Sequence, residues 1–356
     1  MQDSLYIKRC MELAQLAKGS TAPNPMVGAL LEHEGRIIAE GWHKEYGQAH
    51  AEVNCLENVK EEDKQLIEHS TMYVNLEPCA HYGKTPPCAT RLVAEKVKKV
   101  VIANIDPFEK VGGRGIEILE RGGVEVETGV MEQEGAWLNR RFFCFHTNKR
   151  PYIILKWAQT ADGFFAPLDK SRFQVTNKES QQLVHKWRTE EAAIMVGYNT
   201  ALNDDPQLTA RLWEGRQPLR IALDRALKLP RSHKLFDNSA ETWVINEHRA
   251  GKLGGAKLVE IQFGKNLLPV LMTELYEKDK LSLIVEGGAS LLGSFIEMGL
   301  WDEARIFTAA NTLDEGIPAP KLENAISAFE TNIAGDTLCV YTNKANPFVY
   351  VKDMEL

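Results

Sequence analysis

Apolar positions along the first 145 residues alternate between a helical and a strand rhythm. Leu5, Ile7, Met11, Leu13 and Leu16, interrupted by Lys8, Arg9 and Glu12, trace one face of a helix over 3–18. After the turn TAPNP come two short apolar runs, MVGALLEH and RIIAEGW, joined by Glu34-Gly35, a hairpin signal. A helix is expected from near His50, a strand through STMYVNLE at 70–77 and a helix from about Pro87. The strand KKVVIANI, a helix near 113–121 and the short strand VEVET follow. That order predicts a mixed sheet covered by helices.

A helix over 130–142 carries Trp137, Leu138 and Phe142, and polarity then rises through HTNKRP at 146–151. The pattern restarts beyond it: strand YIILKWAQT, helix KESQQLVHKWRTEE, strands AAIMVG, PLRIALD, TWVIN and KLVEIQ, helix LLPVLMTELYEK, strand LSLIVEGG, helix ASLLGSFIEMG and strand EARIFTA. Strands alternating with helices predict a second α/β domain with a largely parallel sheet. DTLCVYT and PFVYVKD read as a closing antiparallel pair. Two domains are expected, 1–147 and 148–356, as the length of 356 residues also suggests.

Composition narrows the class of protein. With 44% hydrophobic and 26% charged residues the chain is globular, and no run approaches 18 apolar residues, so no membrane span is expected. The N-terminal helix carries too many charges for a signal peptide. A net charge of -7 argues against a large nucleic-acid surface while leaving room for a local phosphate pocket. Six scattered cysteines (Cys10, Cys55, Cys79, Cys88, Cys144 and Cys339) fit a reducing, cytoplasmic setting, where cysteine pairs more often bind metal than cross-link.

The first candidate chemistry lies in HAEVNC, 50–55, and NLEPCAHYGKTPPC, 75–88. His50, Cys79 and Cys88 supply the three ligands of a catalytic zinc site, which keeps its fourth position for water. Glu52 is the candidate proton carrier. Because positions i and i+2 do not share a helix face, His50 and Glu52 can converge only in the first turn of their helix, and Pro86-Pro87 put Cys88 in a first turn as well. Two helix N-termini aimed at one point favour thiolates. A structural site is the alternative; it needs a fourth ligand, for which His81 or Cys55 is available. The H-x-E…P-C pairing matches the signature of zinc nucleobase deaminases, although the usual P-C-x-x-C is widened here to eight intervening residues.

The second half has no G-x-G-x-x-G. VEGGASLLGSF, 285–295, runs from a buried strand through Gly287-Gly288 into a helix whose first amides suit a phosphate. VGYNTALNDDPQLTAR, 196–211, sets polar residues after an apolar strand. Taken alone, Arg188 reads as a solvated charge on its helix.

Together these motifs resemble the bifunctional riboflavin-biosynthesis deaminase/reductase family. HAEVNC, EPCAHYGKTPPC, PNPMVG at 23–28 and DPFEKVGGRGIEILERGGVEV at 106–126 resemble its deaminase half; LKWAQTADG at 155–163 and VGYNTALNDDPQLTAR resemble its reductase half. The match runs in order along nearly the whole chain. It implies a cytidine-deaminase-like α/β/α domain followed by a dihydrofolate-reductase-like α/β domain, with Zn2+ on His50, Cys79 and Cys88, Glu52 moving protons, and Asn24 and the 81–85 loop lining the pyrimidine pocket. By position, Ala158, Gln174, Thr200, Asp204 and the segment Gly288, Ala289, Ser290, Leu291, Leu292, Gly293 and Ser294 would contact NADPH. Arg172, Arg188, Leu208, Arg211 and Glu286 would meet the substrate, a pyrimidine ribose phosphate, and guanidinium forks suit its phosphate. The family's Ser-x-Trp-Ile-Thr is replaced by Arg172-Phe173-Gln174-Val175-Thr176, and the late glycine-rich loop is reduced to AANTLDEGIPAP.

The resemblance implies two reactions: hydrolytic deamination of 2,5-diamino-6-ribosylamino-4(3H)-pyrimidinone 5′-phosphate, then NADPH-dependent reduction of its ribosyl group to ribityl. Neither nucleic-acid nor membrane partners are expected, and the chain is compatible with a homo-oligomer. Two competing readings make different demands. A nucleoside or tRNA deaminase with an unrelated tail calls for P-C-x-x-C spacing and, for tRNA, a basic surface. A non-enzymatic zinc and nucleotide-binding protein calls for a fourth ligand and a dispensable Glu52.

Overall fold

A computed structural model describes residues 2–82, 86–108, 111–169, 173–352 and 354. Arg172 and positions 83–85 of the loop expected to line the pyrimidine pocket fall outside the described residues. The chain divides into two compact units, Met1–Asn148 with Phe348–Leu356, and Lys149–Pro347.

The first unit holds α1 (Gln2–Gln15), β1 (Gly28–His33), β2 (Arg36–Trp42), α2 (Ala51–Glu57), β3 (Thr71–Leu76), α3 (Cys88–Ala94), β4 (Lys99–Asn104), α4 (Arg114–Arg121), β5 (Glu125–Thr128), α5 (Glu132–Leu138) and α6 (Arg140–Asn148). Its sheet runs β2-β1-β3-β4-β5, antiparallel on the β2 side and parallel from β3 to β5. One face packs Ala51, Cys55, Ala89 and Leu92 of α2 and α3 against Leu31, Val74 and Ile102. The other packs Ile7, Cys10, Met11 and Ala14 of α1 against Leu30, Tyr73 and Val101. Alternation along each strand thus feeds two cores, as expected for a sheet buried on both sides.

The helix expected over 130–142 is broken at Asn139. Its side-chain amide takes the Met26 N–H at 2.8 Å and donates to the Met26 carbonyl at 2.9 Å. This tie pulls the PNPMVG loop onto the α5–α6 junction, and local propensity yields to a tertiary bond.

The second unit holds β6 (Tyr152–Gln159), β7 (Phe164–Ala166), α7 (Lys178–Glu190), β8 (Ala193–Val196), α8 (Tyr198–Asp204), β9 (Leu219–Leu223), β10 (Thr242–Asn246), β11 (Gly251–Leu253), β12 (Ala256–Glu260), α9 (Leu267–Glu277), β13 (Ser282–Val285), α10 (Ala289–Glu297), β14 (Glu303–Thr308), β15 (Ile317–Pro318), β16 (Ala325–Ile333) and β17 (Asp336–Asn343). Its main sheet runs β11-β12-β10-β9-β8-β13-β6-β14-β17-β16, and the seven strands from β12 to β14 are parallel.

The closing antiparallel pair differs from the sequence expectation. DTLCVYT does form β17, but its hairpin partner is β16 rather than PFVYVKD. The described residues of the latter, 347–352, form no strand. Tyr350 packs edge-on against Trp137, 5.3 Å between ring centroids, and Trp137 Nε1 donates to the Met354 carbonyl at 3.1 Å. Residues 348–356 therefore belong with the first unit, not with the second as the expected range 148–356 has it.

Candidate active sites

The first site forms where the strands of the five-stranded sheet give way to helices. His50 is the N-cap of α2, Glu52 its second residue, and Cys88 opens α3 after Pro87. Helix α2 lies close on β2 because Gly41 has no side chain there: a Cβ would fall 2.3 Å from the Cys55 nitrogen. Cys79 follows β3, and its carbonyl accepts the Ala89 N–H at 3.2 Å. Glu77 anchors this turn, its carboxylate accepting the N–H groups of Asp106, Gly113, Gly115 and Ile116 at 2.8–3.3 Å. One side chain thereby ties the Cys79 turn to the start of α4.

His50 Nδ1 lies 3.5 Å from Cys79 Sγ and 3.4 Å from Cys88 Sγ, and the three donor atoms all fall within 4.8 Å of one another. Two thiols and an imidazole at this spacing fit a zinc ion. The Cys79 thiol is drawn down to about 4, by Cys88 first, while the Cys88 thiol is pushed up by Cys79 and by burial. Two thiols this close share one proton, and a cation among them is what would release both. Among the described residues no fourth ligand joins the group. Cys55 is packed in the α2 core, where burial raises its thiol far above the ordinary range, and His81 is exposed.

Glu52 is 3% exposed, and burial pushes its carboxyl up to about 7, the range suited to a proton carrier near neutrality. Asn24 donates its side-chain amide to Nε2 of His43 at 3.1 Å, and His43 Nδ1 meets the Ala49 carbonyl at 3.0 Å. The imidazole must therefore be the Nδ1–H tautomer, and its ring packs edge-on to His50 at 5.4 Å. His43 is part of this site, yet nothing in its local sequence marks it, because only the β2–α2 turn brings it beside Asn24.

The second site is a cavity of about 1250 Å³ beyond the carboxyl ends of β6, β8, β9 and β13. That is where ligands bind in open α/β sheets. Its size exceeds the ~300–1,000 Å³ usual for one small ligand, and so suits a dinucleotide with a second molecule beside it. Ala158, Gln174, Thr200, Asp204, Gly288, Ala289, Ser290, Leu291 and Ser294 all line it, as do Arg188 and Glu286. Gly288 caps α10, and a Cβ there would meet Thr200 Oγ1 at 3.0 Å, so the backbone approaches α8 closely.

Leu292 and Gly293 are not among the lining residues; Leu292 is in the core, and its N–H is spent on the Gly288 carbonyl at 3.1 Å. Leu208, 2% exposed, and Arg211, an exposed residue whose Nη1 donates to Thr209 Oγ1 at 3.1 Å, are likewise not among the lining residues.

Sequence reasoning missed two walls of this cavity. Lys156 and Phe165 enter from β6 and β7, and the Phe263–Lys265 turn closes the far side. Lys156 is hidden in an apolar strand, but a lone lysine within YIILKWAQ was itself the signal to notice. Burial lowers its ammonium pKa, and Glu286 opposes that shift. Arg188 grips Glu286 with Nε at 3.0 Å and Nη2 at 2.7 Å. Burial alone would raise the Glu286 carboxyl, yet Arg188 and Lys156 hold it down at about 2.

Residues 1–104 match the family described as cytidine and deoxycytidylate deaminase zinc-binding region, and residues 151–318 match the RibD C-terminal domain. The riboflavin biosynthesis protein RibD of Aquifex aeolicus is 41% identical over 321 residues, 88% of this chain and 89% of that protein. The chain belongs to the riboflavin-biosynthesis deaminase/reductase family. RibD of Escherichia coli is 34% identical over 88% of this chain and 89% of its own. A solved diaminohydroxyphosphoribosylaminopyrimidine deaminase / 5-amino-6-(5-phosphoribosylamino)uracil reductase of Thermotoga maritima superposes with a TM-score of 0.88 at 32% identity, covering 96% of this chain and 99% of that one.

As a member of the family, this is a bifunctional deaminase/reductase of riboflavin biosynthesis. The expected pairing of a cytidine-deaminase-like domain with a dihydrofolate-reductase-like domain holds, and its deaminase half is a zinc-binding domain. Among the described residues no helix is long and apolar enough to cross a membrane.

Proposed function

We propose that the two sites carry successive steps on one small molecule. The first hydrolytically deaminates 2,5-diamino-6-ribosylamino-4(3H)-pyrimidinone 5′-phosphate. The second reduces the ribosyl group to ribityl with NADPH, and both steps take place in the cytoplasm. The observation that carries this reading is the pairing, in one chain, of a His50–Cys79–Cys88 cluster beside buried Glu52 with a cavity holding cationic Arg188 and Lys156 around Glu286.

In the first site His50, Cys79 and Cys88 would hold zinc, which supplies Lewis acidity and lowers the pKa of water. Glu52 takes one proton of the attacking water and passes it to the ring nitrogen, then takes the hydroxyl proton of the tetrahedral adduct and delivers it to the departing amine, so that the carbonyl forms as ammonia leaves. Asn24 and His43 form the polar wall that orients the pyrimidine, His43 as a neutral ring whose Nε2 is an acceptor.

In the second site NADPH would supply the hydride to the sugar carbon. Ala158, Thr200 and Asp204 with the Gly288–Leu291 turn would seat the dinucleotide, the first amides of α10 facing its phosphates. Arg188 and Glu286 fix each other, and Arg211, hydrogen-bonded to Thr209, takes the ribose phosphate.

The test supplies the diaminopyrimidine phosphate with and without NADPH and follows ammonia and NADPH separately. Ammonia should form in both reactions, and NADPH should fall only after deamination. Arg211→Ala should cripple reduction and spare deamination; equal loss of both activities would contradict separate sites.

A further inference from the structure

His185 lies on α7 one turn before Arg188 and is 6% exposed, yet neither reaction assigns it a task. Its Nδ1 receives the Arg211 N–H at 2.8 Å, and the Leu212 nitrogen lies 3.4 Å away. Only a ring nitrogen carrying a lone pair can accept from a backbone N–H, so the proton of this imidazole is on Nε2.

The segment it touches is held from several sides. Arg188 Nη1 donates to the Thr209 carbonyl at 3.1 Å. Gln217 takes the Ala210 N–H at 2.7 Å and returns its own amide to the Ala210 carbonyl at 3.0 Å. Leu208, at φ 55°, turns the chain into this clamp. His185 is the part of the clamp that grips residue 211 itself.

The charges around it keep it in the accepting form. Burial, then Arg188 and Arg211, push its pKa down to about 4, with Lys156 adding to the effect and Glu286 opposing it. A protonated ring would lose the lone pair and place a cation among three others.

We propose that His185 is a positioning residue of the reductase: by accepting the Arg211 main-chain N–H it fixes the direction in which that arginine presents its guanidinium to the substrate phosphate. The proposal rests on the reading of Arg211 as the phosphate ligand. A residue that acts through another should change the affinity for the phosphorylated substrate and leave the dinucleotide seat alone.

The experiment compares His185→Leu, which fills the space without an acceptor, with His185→Asn, whose amide oxygen can stand near the Nδ1 position. In the full-length enzyme the KM for the phosphorylated, deaminated substrate should rise about tenfold in His185→Leu, the equivalent of one weakened charge-assisted contact, with kcat within about twofold. His185→Asn should recover most of the loss. The Kd for NADP+, read by calorimetry, should match the wild type in both variants. The substrate lacking the phosphate should be turned over equally by all three proteins.

An unchanged KM in His185→Leu, no recovery in His185→Asn, or an equal loss of NADP+ binding would each overturn the proposal. A wild type that preferred the dephosphorylated substrate would instead overturn the reading of Arg211 on which the proposal stands.

Discussion

Arg188 on α7 and Glu286 at the end of β13 meet in a two-bonded pair, 3.0 Å at Nε and 2.7 Å at Nη2, with Lys156 lowering the Glu286 carboxyl pKa further. The two are 98 residues apart in the chain, and both line the cavity. Breaking this pair should cost more than it contributes, because the surviving charge stays buried. For Arg188→Met the expected loss is about 3–5 kcal/mol in the second unit. Reduction should fall at least a hundredfold while ammonia release stays near wild type. Thermal unfolding together with the two separate assays checks this; a variant as stable as wild type would mean the carboxylate finds another partner.

Acid should weaken the second unit over a defined window. The Glu286 carboxyl sits at about 2 in the folded chain against its ordinary 4.5, so its stabilisation is present above 4.5 and is lost as pH falls from there toward 2. His185 sits at about 4 against 6.5. Below 6.5 the unfolded chain binds the proton and the folded one does not, so stability drains away from 6.5 down to 4. The unfolding midpoint of the reductase unit should therefore decline steadily between pH 6.5 and 4, and the decline should be shallower in His185→Asn. A flat profile over that range would show that neither group is held as the geometry indicates.

Glu52→Gln keeps the size and polarity of the side chain and removes its role as a base. Deamination should drop about 10²–10⁴-fold, the usual contribution of a positioned proton carrier. Bound zinc, measured by elemental analysis, should remain at the wild-type stoichiometry, and NADPH oxidation on supplied deaminated intermediate should survive. Unchanged ammonia release would falsify the catalytic assignment and favour a structural metal site.

Glu77→Ala should strip partners from four backbone N–H groups at once, those of Asp106, Gly113, Gly115 and Ile116. Each unsatisfied buried group costs about 1–3 kcal/mol, so the first unit should be destabilised by several kcal/mol even after partial rehydration. Zinc affinity should fall with it, since Cys79 loses the support of its turn; residues of this kind are worth ~10–100-fold in metal binding. A chelator competition assay beside thermal unfolding separates the two effects. Glu77→Gln, which can still accept, should lie between.

Much of this was legible in the chain. Periodicity alone orders most of the helices and strands, because a strand or helix buried on one face must repeat its apolar positions every two or every three to four residues. The convergence of His50, Cys79 and Cys88 with Glu52 nearby was readable too, since it depends on residue type and on two helix starts marked by local signals. The elements that escaped have weak local signals. Helix α8 is seven polar-rich residues, and β16 is an outer strand whose side chains are mostly solvent-facing or half-buried. The break at Asn139 comes from a bond to Met26, 113 residues away.

The sequence by itself determined the two-part α/β plan and the make-up of the His50–Cys79–Cys88 cluster, because these follow from residue types at short spacing. Tertiary structure decided the rest. The order β8-β13-β6-β14 sets Ala158, Gly197 and Glu286 at neighbouring strand ends, and no local pattern encodes which strands become neighbours. It turned Arg188 from an apparent surface charge into the partner of Glu286, made an acceptor of His185, and drew Tyr350 back against Trp137. The physical reason is common to all three. A charge or ring acquires its energy from what surrounds it, and those surroundings are assembled from residues far apart in the chain.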